Sequence, residues 1–213
     1  MFNTTALSSS VDWCEENYVQ SEYIAEFVNS LSSLSMCYIG MYGMLNYNNV
    51  ANLFAMLIMI GLSSFMFHST LSEFGQMFDE ISIIVTIIMA LNHMNKYIHT
   101  VINVHVMNII NVIMFLSLLC APMYNRFIMF TWSIAIILFV RKFYSDLDMV
   151  SSTYIRNAQI LFGIGFICWI IDYICMAEFY YLYLHGCWHV FVGVCAFYVF
   201  KAISRLQELT FLY

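Results

Sequence analysis

Residues 50–70 read VANLFAMLIMIGLSSFMFHST, and this stretch decides the fold class. It contains no Asp, Glu, Lys or Arg, and it has the roughly 20 residues that a helix needs to cross a hydrocarbon core about 30 Å thick. A helix satisfies its own backbone hydrogen bonds, as the interior of a membrane requires. The sequence therefore predicts a transmembrane helix, with Ser64 and His68 among its few polar residues.

The rest of the chain repeats this pattern. Overall, 62% of the residues are hydrophobic and 9% are charged, whereas about a quarter of the residues of a soluble domain are charged. A transmembrane barrel would alternate apolar and polar residues, but Ile136–Val140 is apolar on every face. We predict an all-α membrane protein, a seven-transmembrane-helix bundle over residues 30–213 that follows an acidic N-terminal segment, residues 1–29. The predicted helices are 30–48, 50–70, 77–97, 101–121, 126–144, 157–178 and 185–205.

The charged residues are distributed unevenly, which bears on partners and orientation. The amino-terminal segment has no Lys or Arg, so it is unsuited to nucleic acid or anionic headgroups but leaves room for a cation. We call the membrane face where the first helix begins the amino-terminal face. Basic residues cluster at the opposite face, which the positive-inside rule places in the cytoplasm. The amino terminus, with a glycosylation sequon at Asn3, would then face the lumen or exterior. The residues at the opposite face are Lys96, Arg141, Lys142, Arg156, Lys201 and Arg205, against Arg126 alone at the amino-terminal face.

Three histidines should meet at the amino-terminal face. His68 lies near the end of the second predicted helix, and His185 and His189 open the seventh at a spacing that lets both imidazoles share one ion. The other three histidines, His93, His99 and His105, fall at the opposite face and cannot join them across the membrane. Imidazole ligands favour zinc over calcium or magnesium. The sequence thus predicts a zinc site with an open fourth position.

Three further polar residues approach the same face. Asp79 could accept a proton from a zinc-activated water, although it could instead cap the third helix. Ser64, one turn from His68, could support an oxyanion or simply pack between helices. Asp172 could orient a metal-bound imidazole or pair with a donor such as Tyr173. The seven cysteines lie mostly in apolar runs, where we expect them to act as small hydrophobes without a disulfide framework.

Four stretches resemble the alkaline ceramidase family, within a group of seven-helix membrane hydrolases that also looks related to the adiponectin and progestin receptors. They are Asp12–Tyr18 with Ala25–Phe27 and Asn29, Ser64–Leu71 with Gln76–Glu80, Cys168–Asp172 and His185–His189. The resemblance implies that His68, His185 and His189 bind catalytic zinc, that Asp79 moves protons and that Ser64 supports the oxyanion.

The resemblance also implies a structural calcium ion, held by Asp12, the Trp13 carbonyl, Glu15, Asn17 and Glu26. The implied reaction is hydrolysis of the N-acyl bond of ceramide to sphingosine and a fatty acid. We expect the protein to lie in an endoplasmic reticulum or Golgi membrane, and we predict no protein partner. Two other readings stay open. One is a seven-helix lipid-binding receptor with a structural zinc site, and the other is a proton-coupled transporter, which the absence of an internal repeat disfavours.

Overall fold

The computed structural model describes residues 9–97, 103–120, 131–132, 147–175 and 182–210. Within these ranges the chain is helical and has no β-strand, which confirms the all-α prediction. Six α-helices are described: α1 (Phe27–Asn46), α2 (Ala51–Thr70), α3 (Glu73–Tyr97), α4 (Val104–Cys120), α5 (Met149–Ile174) and α6 (Leu184–Thr210).

Four of these stretches are long and apolar enough to cross a membrane: Asn48–Thr70, Glu73–Lys96, Met149–Ile174 and Leu184–Thr210. They indicate a membrane protein. Helix α1 is 20 residues long but less apolar, and the apolar part of α4 is shorter. The predicted helix 126–144 and the Asn3 sequon lie outside the described residues, so the count of seven stays a prediction.

Helix α1 begins three residues before its predicted start because a distant side chain caps it. The two carboxylate oxygens of Glu15 accept hydrogen bonds from the backbone N–H groups of Val28 (2.7 Å) and Asn29 (2.9 Å). These are two of the first-turn donors that a helix leaves without an internal partner. The residue just before the helix, Glu26, makes no such cap with its own side chain. The start of α1 is therefore set by tertiary structure.

Helix α3 begins at Glu73, whereas the sequence predicted residue 77. Leu71 adopts a left-handed conformation (φ 45°) that ends α2, and the Ser72 hydroxyl accepts a hydrogen bond from the backbone N–H of Gly75 at 3.1 Å. A serine at this position is a favourable N-terminal cap. The prediction placed the helix start at the first apolar residues and missed this turn.

Helix α5 begins at Met149, eight residues before its predicted start. The Asp148 carboxylate accepts hydrogen bonds from the backbone N–H groups of Val150 and Ser151, and it pairs with the Arg205 side chain at 2.9 Å. Partial burial works against ionisation of Asp148, but these hydrogen bonds outweigh it and hold its pKa below the usual range. Asp148 thus ties the start of α5 to α6 through Arg205.

Helices α1 and α2 pack closely at glycines. A Cβ atom on Gly61 would lie 2.6 Å from the Cys37 sulfur and 3.0 Å from the Ser33 carbonyl oxygen. On the other side of the interface, Gly40 lies against the backbone of α2 near Phe54. Small residues let membrane helices approach in this way. The close contact fixes α1 against the helix that carries Ser64 and His68.

The amino-terminal segment folds over the ends of the helices. The backbone N–H of Ala25 donates to the Ser69 carbonyl at 3.0 Å, and Cys14 forms a disulfide with Cys175 at the end of α5. The expectation that the cysteines form no disulfide was wrong for this pair. The sequence does not predict this pair, because the two cysteines are 161 residues apart and only the packing of the segment onto α5 brings their sulfurs together.

Candidate metal centre

His68, His185 and His189 meet at the amino-terminal face, as the helix directions predicted. Their ring centroids are 4.7 to 5.0 Å apart, and one potential ligand atom from each lies within 4.8 Å of the others. All three side chains are buried, and His68 is fully so. Among the described residues this is the one group of three such side chains near enough to share a metal ion.

The donor atoms of this cluster suit a zinc ion. His68 Nε2 and His185 Nδ1 are buried and have no hydrogen-bond partner. Buried polar atoms are normally paired, because an unpaired one costs about 1–3 kcal/mol. Two unpaired imidazole nitrogens within one cluster therefore call for a ligand, and neutral imidazole is a preferred ligand of zinc. The residues present fit the metal that the sequence predicted.

The His68 ring is oriented by Glu26. Its Nδ1 is hydrogen-bonded to the Glu26 carboxylate, which also accepts from the Trp13 backbone N–H and the Asn29 side chain. Burial raises the pKa of Glu26 to about 7, and the nearby Asp12 carboxylate contributes to the rise. Because the Nδ1 of His68 is occupied, its Nε2 is left to face the cluster. Glu26 was predicted as a calcium ligand, and this contact with His68 was not anticipated.

The His189 ring has a serine at each nitrogen. Its Nδ1 is 2.8 Å from the Ser32 hydroxyl on α1, and its Nε2 is 3.4 Å from the Ser64 hydroxyl on α2. Ser64 is almost completely buried. Ser64, which was predicted to support an oxyanion, thus lies beside His189, a predicted zinc ligand.

His185 is held by a ring and by its backbone. Trp13 stacks on its imidazole, with ring centroids 3.7 Å apart and an interplanar angle of 28°. Asp172, at the end of α5, accepts hydrogen bonds from the backbone N–H groups of His185 and Cys14, each at 3.2 Å. Asp172 therefore contacts His185 through the backbone N–H of that residue, and its influence on a metal-bound imidazole stays a prediction. The same carboxylate connects the amino-terminal segment to the start of α6.

Asp79 lies inside α3, two turns after the helix begins at Glu73. The alternative that Asp79 caps this helix is therefore wrong. The Ser63 hydroxyl is 3.4 Å from its carboxylate, and Asp79 lines the same cavity as Ser64 and the three histidines. A carboxylate facing this cavity is available to exchange protons with a bound molecule.

The cavity has a volume of about 340 Å³ and extends from the histidines into the bundle. Near the cluster it is bounded by Trp13 and Asp79, and further along it is bounded by apolar side chains of several helices. Its walls include Leu57, Ile60, Ile83, Met94, Phe162, Val192, Ala196 and Phe200. A polar end and a long apolar interior suit a molecule with a polar group and a hydrocarbon chain.

Hydrogen bonds connect some of the five predicted calcium ligands in the amino-terminal segment. The Asn17 side-chain amide donates to Asp12 at 3.0 Å. Glu15 caps α1, and burial and the charge of Glu26 raise its pKa. Trp13 contacts Glu26 through its backbone N–H. Calcium binding by these residues stays a prediction.

The histidines of the opposite face are separate from the cluster. His93 Nε2 is 3.2 Å from the Asn52 side chain, and His93 follows Asp79 on α3 by 14 residues, or about 21 Å along the helix. His105 is exposed, and His99 lies outside the described residues. The geometry of His93 and His105 agrees with the prediction that they take no part in the site.

Sequence reasoning missed the groups that support the ligands, namely Ser32, the indole of Trp13 and the carboxylate of Glu26 as a partner of His68. Ser32 is one of four serines between residues 30 and 35, and nothing in the sequence distinguishes it from the other three. The one sequence signal that could identify Ser32 is its predicted depth in the membrane, which is the same as that of the three histidines. Depth alone does not tell which face of α1 meets α6.

A family model described as ceramidase matches residues 5–210. An alkaline ceramidase of Drosophila melanogaster is 31% identical over 89% of this chain and 74% of its own length. Alkaline ceramidase 1 of Homo sapiens is 27% identical over 88% of this chain and 78% of its own length. A putative alkaline ceramidase of Dictyostelium discoideum is 25% identical over 89% and 83%, respectively.

Proposed function

Because the chain belongs to the ceramidase family, we propose that it is a zinc-dependent amidase that hydrolyses the N-acyl bond of ceramide. The products are sphingosine and a free fatty acid. The observation that carries the proposal is the buried histidine cluster at the polar end of an apolar cavity, with two imidazole nitrogens unpaired. A membrane lipid with an amide near its headgroup matches this distribution of polar and apolar surface.

His68, His185 and His189 hold the zinc ion in this proposal. When bound, zinc supplies a Lewis acid that polarises a carbonyl group and lowers the pKa of water to roughly 7. The protein's own part is to present the three imidazoles in fixed orientations. Glu26, Ser32 and Asp172 support that role through the hydrogen bonds described above.

Asp79 acts as the proton carrier of the reaction. It removes a proton from the water that attacks the amide carbonyl carbon, and it later delivers a proton to the leaving nitrogen as the carbon–nitrogen bond breaks. Asp79 lines the same cavity as Ser64 and contacts the Ser63 hydroxyl, which supports this role. One water is consumed, and a carboxylic acid and an amine are released.

Ser64 stabilises the negative charge that develops on the carbonyl oxygen. Its hydroxyl is buried beside His189 Nε2, where it is directed toward the cluster and shielded from bulk water. A hydrogen bond to an oxyanion is stronger in such surroundings than in water. The acyl chain of the substrate occupies the apolar part of the cavity, which the side chains of Leu57, Val192 and Ala196 help to line.

We also propose that calcium binds Asp12, the Trp13 carbonyl, Glu15, Asn17 and Glu26. Burial raises the pKa of both carboxyl groups, and a neighbouring acid adds to each rise, Glu26 for Glu15 and Asp12 for Glu26. A cation would therefore relieve the cost of keeping these carboxylates ionised. Oxygen ligands of this kind are the ones that calcium prefers. Since Glu26 also contacts His68, calcium would stabilise the arrangement of a zinc ligand.

The orientation proposed from the basic residues gains support from the disulfide. Disulfides persist in oxidising compartments, and Cys14 and Cys175 are joined at the amino-terminal face. We propose that this face is lumenal, in an endoplasmic reticulum or Golgi membrane. The active site would then open toward the lumenal side of the bilayer.

The metal part of the proposal is tested with His185→Ala. We expect purified wild-type protein to contain about one zinc per chain and the variant to lose both zinc and the release of fatty acid from ceramide. His93→Ala, which changes a histidine at the opposite face, is the matched control and should retain both. Full turnover by His185→Ala would overturn the mechanism. Zinc in the wild type without any turnover would instead favour the lipid-binding receptor.

A further inference from the structure

Ser32 is in direct contact with a proposed zinc ligand, although it belongs to a helix that carries none of them. It is half-buried on α1, about one and a half turns from the start of that helix at Phe27. Its hydroxyl oxygen lies 2.8 Å from His189 Nδ1 and donates a hydrogen bond to the carbonyl oxygen of Asn29 at 3.0 Å. The hydroxyl therefore has two partners: a carbonyl oxygen, which can only accept a hydrogen bond, and an imidazole nitrogen, which donates or accepts according to its tautomer.

These two contacts determine which nitrogen of His189 carries its hydrogen. A serine hydroxyl has a single proton to donate. Since that proton goes to the Asn29 carbonyl, the oxygen can only accept from His189, so Nδ1 of the imidazole carries the hydrogen. The lone pair is then on Nε2, the nitrogen beside Ser64. A metal can bind only the nitrogen that has the lone pair.

The contact depends on the close approach of α1 and α6. A Cβ atom on Gly186 would lie 3.2 Å from the Ser32 hydroxyl oxygen and 3.4 Å from its Cβ. Serine is short, so its hydroxyl reaches His189 only where the two helices are this close. Gly186 lies between the two histidines of α6 and leaves room for the serine.

We propose that Ser32 is a positioning residue that holds His189 in the tautomer and orientation required to bind the metal through Nε2. The inference rests on the proposed zinc function and adds a residue from α1 to the support of the site. The three ligands then have different supports: a carboxylate for His68, a stacked indole and a backbone contact for His185, and a hydroxyl for His189.

Ser32→Ala is the direct test, and Ser33→Ala is its matched control. Ser33 is the next residue of α1 and donates the same type of hydrogen bond, to the Ser30 carbonyl at 2.6 Å. Both full-length variants are purified in detergent and titrated with a zinc chelator, and the zinc retained is measured. Loss of a group that orients a metal ligand typically weakens metal binding by about 10–100-fold. We expect that loss in Ser32→Ala and wild-type retention in Ser33→Ala.

A spectrum, a second variant and the unfolding temperatures separate positioning from a general loss of structure. The first is the absorption spectrum of the cobalt-substituted protein, which reports ligand geometry and should shift in Ser32→Ala but not in Ser33→Ala. The second is Gly186→Ala, whose added methyl group displaces the serine and should also weaken zinc binding. The thermal midpoint of each metal-free variant shows whether the fold is retained.

The outcomes are distinguishable from those of the proposed function. If the wild type holds zinc and Ser32→Ala retains it within about twofold with an unchanged cobalt spectrum, the role of Ser32 is wrong while the zinc enzyme stands. Equal weakening in both serine variants would also overturn it, because the effect would then come from α1 as a whole. A wild type without zinc would overturn the proposed metal centre and this inference with it.

Discussion

At the scale of single residues, each histidine of the cluster contacts a side chain that is distant in the sequence: Glu26 for His68, Trp13 for His185 and Ser32 for His189. The direction of each predicted helix places His68, His185 and His189 at one face without knowledge of packing. By contrast, the contact of Glu26 with His68 joins residues 42 apart, and that of Ser32 with His189 joins residues 157 apart. Such contacts depend on which faces of the helices meet, and the periodicity of an almost wholly apolar helix does not specify this.

The role of Asp79 can be separated from metal binding by Asp79→Asn. The amide keeps the size of the side chain but cannot take up a proton, so we expect turnover to fall by about 10²–10⁴-fold. Zinc content should stay at the wild-type level, because Asp79 is not among the predicted ligands. Glu73→Gln, in the exposed first turn of the same helix, is the control and should retain activity. An active Asp79→Asn would remove Asp79 from the mechanism.

At the scale of helices, the existence of the described elements was predicted better than their ends. The apolar run of residues 50–70 gave α2 to within one residue. The starts of α3 and α5 were wrong by four and eight residues, because Ser72 and Asp148 cap turns that lie before the apolar runs. Hydropathy detects the part of a helix that lies within the membrane, but it does not detect a polar first turn outside it.

Two glycines provide a test of the packing between α1 and α2. Gly61→Ala would bring a methyl group to 2.6 Å from the Cys37 sulfur, whereas Gly163→Ala on α5 meets nothing within 4 Å. We expect the first variant to be destabilised by about 1–3 kcal/mol, as overpacked sites are. The second should be neutral or stabilised by up to about 1 kcal/mol, since alanine is the better helix former. Thermal unfolding in detergent measures both, and equal midpoints would contradict the close approach.

At the scale of the whole molecule, the sequence indicated a membrane bundle with a polar site at one end, and the structure adds a cavity that continues inward from that site. The amino-terminal segment closes over the same end and is fixed there by the Cys14–Cys175 disulfide. The cavity cannot be predicted from any single segment of the sequence, because its walls come from five helices. It follows from how the helices assemble.

If the acyl chain occupies the cavity, a substitution in the cavity wall should change the preference of the enzyme for acyl-chain length. Ala196 lines it two turns below His189, about 10 Å along α6. In Ala196→Trp the indole should fill that part of the cavity and exclude the end of a long chain. Each excluded methylene forfeits about 0.8 kcal/mol of burial, so losing two should lower kcat/KM for long-chain ceramides more than tenfold.

Short-chain ceramides should be hydrolysed by Ala196→Trp at nearly the wild-type rate. Val190→Trp, which adds the same bulk to an exposed position of α6, is the matched control and should not change the preference. Equal losses for long and short chains in Ala196→Trp would show that the acyl chain binds elsewhere.

The most direct test of a zinc-dependent ceramide amidase is the release of sphingosine from labelled ceramide by the purified wild-type protein, before and after zinc is removed. Calcium is held constant throughout, so that only the histidine cluster is examined. We predict that release stops when the chelator removes zinc and returns when zinc is added back. Sphingosine release that continues at full rate from zinc-free protein would contradict the account.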